Sequence, residues 1–131
     1  MPHRIVILED EPDLLLALEV RLQAAGFTCE TARNGKVGLE KIRRSAPALI
    51  ISDLMMPEVD GFEAIQQLRE HPETAAIPII VLTALPQHMV DHHKGQLASV
   101  YVIYKPFDFQ TLVSMIRELT DTMGSGGPQH G

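Results

Sequence analysis

Several features are scarce in this sequence, and each shortage excludes a class of protein. The chain has one cysteine, Cys29, so a disulfide cannot form within it. Its apolar runs are far shorter than the ~18 residues that a membrane-spanning helix needs. The opening, MPHRIVILEDE, lacks the basic, apolar and small-residue regions of a signal peptide. We therefore expect a cytoplasmic protein without membrane association, in which Cys29 is a buried, inert thiol.

The charge and the length narrow the choice further. The net charge is −6 with His neutral, which argues against direct binding of nucleic acid. A length of 131 residues fits one domain with a single core. We predict one domain over residues 1–122 and a flexible tail over residues 123–131, which ends in GSGGPQHG. A natural terminus, a linker to a missing output domain and an expression remnant all fit that tail.

Short apolar runs alternate five times with segments of helical periodicity. This alternation predicts an α/β fold in which a five-stranded parallel sheet carries helices on both faces. Several runs are apolar without alternation, as expected of strands that are buried on both faces. We expect the doubly wound, flavodoxin-like strand order 2-1-3-4-5. The predicted strands lie at residues 5–8, 27–32, 48–52, 79–83 and 100–104.

Local signals mark most of the intervening helices. The residues that indicate helix starts are Pro12, Asn34, Asp60 and Asp108. The fourth helix is the weakest, because residues 86–98 contain Gly95 and have few apolar side chains to bury.

Polar residues end four of the five predicted strands. The carboxyl ends of parallel strands meet at one edge of the sheet, where doubly wound folds bind ligands. The residues expected at that edge are Glu9, Asp10, Asp53, Thr83 and Lys105. Crowded carboxylates repel each other unless a cation lies among them. Oxygen donors suit Mg²⁺, so we predict a magnesium site formed by Asp10, Asp53 and a backbone carbonyl just beyond Asp53.

Two further groups at this edge suit phosphate chemistry. Lys105 adds a compact positive charge and Thr83 adds a hydroxyl donor, and both can bind the oxygens of a transferring phosphoryl group. The set has the parts of a phosphoryl-transfer site that works by positioning and charge stabilisation.

Other polar residues have simpler explanations. Glu11 and Asp13 are more readily explained as helix-end or solvated charges than as ligands. His88 and His92 have the i, i+4 spacing of metal ligands, but they lie in the weakest helix and lack an obvious third ligand. We expect both histidines to be solvated.

The motifs resemble the receiver domain of bacterial two-component response regulators, of the kind that acts in chemotaxis. ILEDEPDL resembles the family's acidic opening, SDLMMPEVDGFE its phosphoacceptor loop, VLTA its hydroxyl strand end and YKPF its lysine-proline turn. The likeness extends over residues 4–120 and keeps the family's order and spacing.

The resemblance implies a role for each residue at the strand ends. Asp53 resembles the phosphoacceptor, while Thr83 and Lys105 match the switch hydroxyl and the phosphate-binding lysine. The implied magnesium ligands are Glu9, Asp10, Asp53 and the backbone carbonyl of Met55. The implied donor is a sensor histidine kinase or a histidine phosphotransfer protein, and the output is a downstream effector protein or a missing domain. Such a domain catalyses only its own phosphoryl transfer and dephosphorylation.

The resemblance also assigns a switch region, at Ala84, Val102 and Pro106. A cis peptide often precedes the family's proline at the position of Pro106. The family usually has Tyr or Phe at the position of Val102, and its small-residue turn before the fifth strand is altered here to GQLASV. We therefore expect Thr83 to be coupled to the output face through residues 86–98.

Two apolar positions predict a long-lived phosphoryl group. In the family, the side chains two residues beyond the phosphoacceptor and two beyond the switch hydroxyl border the path of the attacking water. These positions match Met55 and Leu85, and neither side chain can orient a water.

Three other functions use a similar sheet. A haloacid-dehalogenase-like phosphohydrolase also uses Asp and magnesium. That class is expected to show a DxDx[TV] pattern after the first strand, and EDEPD does not match it. A phosphorylation-independent interaction module is favoured only by the unusual fourth helix. A flavin-binding protein would need hydrogen-bond donors where the first loop carries acids.

Overall fold

The computed structural model describes residues 3–54, 61–93, 95, 97 and 99–124. Strands and helices alternate along them. The strands are β1 (Arg4–Leu8), β2 (Thr28–Ala32), β3 (Leu49–Asp53), β4 (Ile79–Thr83) and β5 (Tyr101–Tyr104). The helices are α1 (Pro12–Ala24), α2 (Gly35–Arg44), α3 (Gly61–Glu70), α4 (Gln87–His92) and α5 (Phe109–Gly124).

All strand pairs are parallel, in the order β2-β1-β3-β4-β5. The predicted fold class and strand order are therefore confirmed. The central strands β3 and β4 bury every residue, which explains why LIISD and IIVLT are almost continuously apolar.

The core lies in two layers, one on each face of the sheet. On one face, β1, β3 and β4 pack against α2 and α3 through side chains that include Leu39, Ile42, Ile65 and Leu68. On the other face they pack against α1 and α5 through side chains that include Leu15, Leu18, Leu112 and Ile116. Each such aliphatic side chain contributes about 1.5–3 kcal/mol when fully buried, so these layers fix the sheet and its edges.

Local chemistry sets the helix ends. The helix α1 begins at a proline and ends just before Gly26, whose φ of +100° favours glycine. At the start of α2, Oδ1 of Asn34 accepts a hydrogen bond from the backbone N–H of Val37 at 2.9 Å. At the start of α5, Oδ1 of Asp108 accepts from the backbone N–H of Gln110 at 3.2 Å. Asp60, the predicted start of α3, lies outside the described residues.

The fourth helix is shorter than predicted. It covers Gln87–His92, whereas the sequence predicts a helix within residues 86–98. Val90 is its one buried residue, so burial supplies little free energy to offset the poor helix propensity of this segment. At the other end of the chain, α5 includes residues 123 and 124, which were assigned to the tail. In the part of the chain that the structure describes, every helix is too short or too polar to cross a membrane.

Candidate functional site

The sheet brings the predicted carboxylates together at its carboxyl edge. The β1–β3 register pairs Leu8 with Ser52, so the next residues, Glu9 and Asp53, follow side by side. One carboxylate oxygen each from Glu9, Asp10 and Asp53 lies within 4.8 Å of the others. Glu9 and Asp53 are buried and Asp10 is half-buried, so the cluster is largely screened from water.

Lys105 connects two of these carboxylates. Its Nζ donates to Oδ2 of Asp53 at 3.0 Å and to Oε1 of Glu9 at 3.3 Å. Its backbone N–H donates to the carbonyl oxygen of Thr83 at 2.7 Å, which ties the residue after β5 to the end of β4. The predicted cis peptide before Pro106 is confirmed.

The charges at this edge are not balanced. Burial is the largest cause that raises the pKa of Glu9 from 4.5 to about 7, and the negative charge of Asp53 raises it further. Burial also acts to lower the pKa of Lys105, but its hydrogen bonds and its charge interactions with Asp53 and Glu9 outweigh burial and raise that pKa. Among the described residues, one ammonium thus lies beside a cluster of three carboxyl groups, and a second cation would relieve their repulsion.

The donor set fits Mg²⁺. Carboxylate oxygens are hard ligands, and oxygens within 4.8 Å of one another can be shared by one ion. Glu9, Asp10 and Asp53 would hold the metal from this side. Met55, whose backbone carbonyl is a predicted ligand, lies outside the described residues.

Thr83 ends β4, the strand next to β3, and its side chain is completely buried. Its Oγ1 accepts a hydrogen bond from the backbone N–H of Leu85 at 3.0 Å. Because this bond uses the oxygen as acceptor, the hydroxyl proton remains able to bond a phosphoryl oxygen.

The predicted switch positions differ in exposure. Ala84 and Pro106 are exposed, while Val102 is half-buried and packs against the core layer of α2 and α3. Tyr101 and Tyr104, which flank Val102 in the sequence, are exposed.

The residues that were given simpler explanations lie mostly at the surface. Glu11 and Asp13 are exposed, as are His88 and His92. Cys29 is half-buried, so the prediction of a buried thiol was too strong. Burial, and then the charge of Glu19, raise its pKa to about 11, so the thiol stays protonated near neutral pH.

An apolar surface formed by α1 and the start of α5 is not among the predicted features. Leu16 and Val20, one helical turn apart, are 60% and 55% exposed. A shallow cavity of about 460 Å³ lies beside them and beside Phe109. A second cavity, of about 230 Å³, extends from Phe109 to Lys105. The signal was present in LLLALEVRL, where apolar residues continue beyond the stripe that faces the core.

Comparisons with known proteins agree with this architecture. The family model for the response regulator receiver domain matches residues 5–117. RpaA of Synechocystis sp., a DNA-binding dual master transcriptional regulator, is 34% identical over 116 residues, which are 88% of this chain and 48% of RpaA. Protein PilH of Pseudomonas aeruginosa is 32% identical over 113 residues, which are 86% of this chain and 93% of PilH.

A solved structure gives the same result. The crystal structure of the signal receiver domain of a signal transduction histidine kinase from Syntrophus aciditrophicus has a TM-score of 0.83 and 32% identity to this chain. The match covers 91% of this chain and 90% of that one. The chain therefore belongs to the response regulator receiver domain family, the phosphoacceptor domains of two-component signalling systems. It spans about half the length of several curated relatives that it matches, RpaA among them.

Proposed function

We propose that Asp53 accepts a phosphoryl group from the phosphohistidine of a sensor histidine kinase or a histidine phosphotransfer protein. Glu9, Asp10 and Asp53 would hold Mg²⁺ during this transfer. The observation that carries the proposal is the position of Lys105, whose ammonium bonds Asp53 at 3.0 Å inside a three-carboxylate cluster. A nucleophile, a metal-binding donor set and a phosphate-binding cation thus share one edge.

The reaction follows from these positions. An oxygen of the Asp53 carboxylate attacks phosphorus, the P–N bond to the donor imidazole breaks, and its electron pair leaves with the imidazole. When bound, Mg²⁺ neutralises charge on the phosphoryl oxygens. Lys105 keeps the nucleophile in place beforehand and can follow the new negative charge from the carboxylate to the phosphoryl group. The chain then carries an acyl phosphate and acts only on itself.

Thr83 is proposed to report the phosphoryl group to the rest of the domain. Its buried hydroxyl can donate to a phosphoryl oxygen, and its Oγ1 already bonds the backbone N–H of Leu85. Movement of the hydroxyl towards phosphate would pull on the start of the segment that leads into α4. Ala84 and Pro106 lie at the same edge of the sheet, and we propose that they move together with Thr83. Val102 has no aromatic ring that could turn inward when Thr83 moves.

Acetyl phosphate and Mg²⁺ provide the test, with intact mass as the readout. We expect one added phosphate on the parent chain, none on Asp53→Asn and none with a chelator. Asp13→Asn, which removes an exposed carboxylate from the first turn of α1, should label like the parent. Equal labelling of Asp53→Asn and the parent would refute the assignment.

The apolar surface of α1 and α5 is the proposed docking site for the phosphodonor protein. It exposes Leu16 and Val20, and through Phe109 it continues to Lys105 at the reacting edge. A donor seated there would bring its histidine towards Asp53.

The double variant Leu16→Glu, Val20→Glu separates docking from chemistry. We expect it to label normally with acetyl phosphate but to accept phosphate at least about 10-fold more slowly from autophosphorylated sensor kinases of the source organism. The variant keeps Leu14 and Phe107, which line the second cavity, as they are in the parent. Unchanged transfer from every kinase that phosphorylates the parent would contradict this docking site.

Location and output rest on the same proposal. We place the domain in the cytoplasm, where its kinase partner would present the phosphohistidine. Output would pass through protein contacts or a further domain, since RpaA is about twice as long as the matched region.

A further inference from the structure

The peptide carbonyl of Asp53 is held by a buried hydroxyl. Oγ of Ser52 donates to this carbonyl oxygen at 2.8 Å, and the Ser52 side chain is 2% exposed. Along β3, Ser52 interrupts a run of buried aliphatic residues. An alanine would be buried there without a polar group to satisfy, so packing alone gives no reason for a hydroxyl.

A glycine confines the same carbonyl from another direction. A Cβ on Gly61 would lie 2.4 Å from the carbonyl oxygen of Asp53 and 2.5 Å from Cα of Leu54. The backbone N–H of Gly61 also donates to the carbonyl oxygen of Leu54 at 2.9 Å. The start of α3 therefore lies directly against the peptide that follows the nucleophile, at a distance that only glycine permits.

We propose that Ser52 and Gly61 are positioning residues, which fix the peptide of Asp53 and thereby aim its carboxylate. The inference rests on the proposed function of Asp53 and adds the parts that hold it. Lys105 fixes the carboxylate at its oxygen, but the direction of the Cα–Cβ bond depends on the backbone. A tilt of this peptide would move the nucleophile relative to Lys105 and Glu9, and a misplacement of about 1 Å can slow a reaction about 100-fold.

Two variants and two matched controls test the proposal. Ser52→Ala removes the hydroxyl, and Thr120→Val removes a comparable one, since Oγ1 of the fully buried Thr120 donates to the carbonyl of Ile116 at 2.8 Å in α5. Gly61→Ala forces a shift at the nucleophile. Gly26→Ala strains the backbone away from the nucleophile instead, because Gly26 lies beyond the end of α1 and its φ of +100° disfavours a Cβ.

Three quantities are measured on each folded variant: the labelling rate with acetyl phosphate, the Kd of Mg²⁺ by calorimetry, and the Tm. We expect labelling to slow about 3–10-fold in Ser52→Ala and about 100-fold in Gly61→Ala. Mg²⁺ should bind about 3-fold more weakly in both, because Asp53 supplies one of its ligands. The two controls should lose Tm but keep the labelling rate and the Mg²⁺ Kd within about twofold of the parent.

The outcomes are distinct. Parental labelling and Mg²⁺ affinity in Ser52→Ala and Gly61→Ala would overturn the proposal while Asp53 remains the acceptor. A labelling rate that simply follows Tm across all four variants would also overturn it, since Ser52 and Gly61 would then act only through stability. A parent chain that takes up no phosphate at Asp53 would refute the proposed function, and the inference with it.

Discussion

The substitution Lys105→Met removes the ammonium at the site and keeps a side chain of similar length. In the parent this ammonium lies 3.0 Å from Asp53 and 3.3 Å from Glu9. Removal of one partner from a fully buried ion pair costs about 3–5 kcal/mol. The Lys105 side chain is 19% exposed and Glu9 can take up a proton, so we expect a smaller loss, about 2 kcal/mol at pH 8 without metal. For a domain of this size that loss lowers Tm by roughly 6–8 °C.

The loss should depend on pH. Glu9 has an ordinary pKa of 4.5 and a pKa of about 7 in the folded domain, so the folded state binds more protons between these values. Stability without metal therefore falls as pH rises through that window. Because the charge of Lys105 lowers the pKa of Glu9, the substitution extends the window upward. The variant should then lose more stability at pH 8 than at pH 6.

Metal affinity and phosphorylation should change in opposite directions. Without the repelling ammonium, Mg²⁺ should bind the Lys105→Met variant more tightly than the parent. Labelling with acetyl phosphate should nevertheless slow about 100-fold, because the group proposed to stabilise the transferring phosphoryl oxygens is gone. If Lys105 only maintained the shape of the site, the substitution would instead lower both the Mg²⁺ affinity and the labelling rate.

Calorimetric titration of Mg²⁺, thermal unfolding at pH 6 and pH 8, and intact mass after timed labelling measure these effects. Lys41→Met is the matched control, since its Nζ donates to the backbone carbonyl of Thr31 outside the carboxylate cluster. It should match the parent in all but a small change in Tm. Weaker Mg²⁺ binding in Lys105→Met, or an equal loss of stability at both pH values, would refute the electrostatic reasoning.

Three further predictions concern the acceptor, the switch and the lifetime of the phosphoryl group. Asp53→Asn should raise the metal-free Tm by a few degrees, because it removes one of the crowded charges; a lower Tm in thermal unfolding at pH 8 would count against this. Amide exchange should change across residues 86–98 when beryllofluoride and Mg²⁺ are added, and Val102→Tyr should shift part of the response to the new ring. Changes confined to other segments would exclude that route. Phosphate should be lost about 10–100-fold faster from Met55→Asn, Leu85→Glu than from the parent. The loss of phosphate is measured by intact mass, and equal rates in the variant and the parent would contradict the proposal that Met55 and Leu85 exclude water.

Much of the fold could be predicted because its signals are local and agree with one another. The predicted strand over residues 79–83 coincides with β4, and the other predicted strands overlap the observed ones to within one residue at each end. Asn34 and Gly26 mark the helix ends that their backbone chemistry favours. The predicted length of α4 was wrong, because the length of this helix depends on how many side chains it buries. A sequence pattern with Gly95 and two or three apolar residues does not determine that number.

The candidate site was predictable for a different reason. A parallel sheet aligns the carboxyl ends of its strands, so position in the chain alone brings Asp53 and Lys105 to one edge. The contacts that hold the site were not predictable. The bond from Ser52 to the carbonyl of Asp53, and the approach of Gly61 to it, depend on how closely α3 packs against β3. The periodicity of apolar residues does not determine the distance between α3 and β3.

Asp53, the proposed acceptor, is held by Lys105 next to a segment whose described residues bury few side chains, and this contrast favours the proposed switch. Among the described residues between β4 and β5, Val90 and Leu97 are the buried ones beyond Thr83. Further ties that the described residues show run to α3: the ring of His93 lies 4.3 Å from that of Phe62, and Arg69 donates to Oγ and the carbonyl oxygen of Ser99 at 2.9 and 3.0 Å. Burial lowers the pKa of Arg69, but a guanidinium is so strong a base that it stays charged, so this tie persists at neutral pH. A pull on Thr83 would therefore act on a segment that is held to α3 near its far end and in which the described residues bury two side chains, and this favours rearrangement of α4 on phosphorylation.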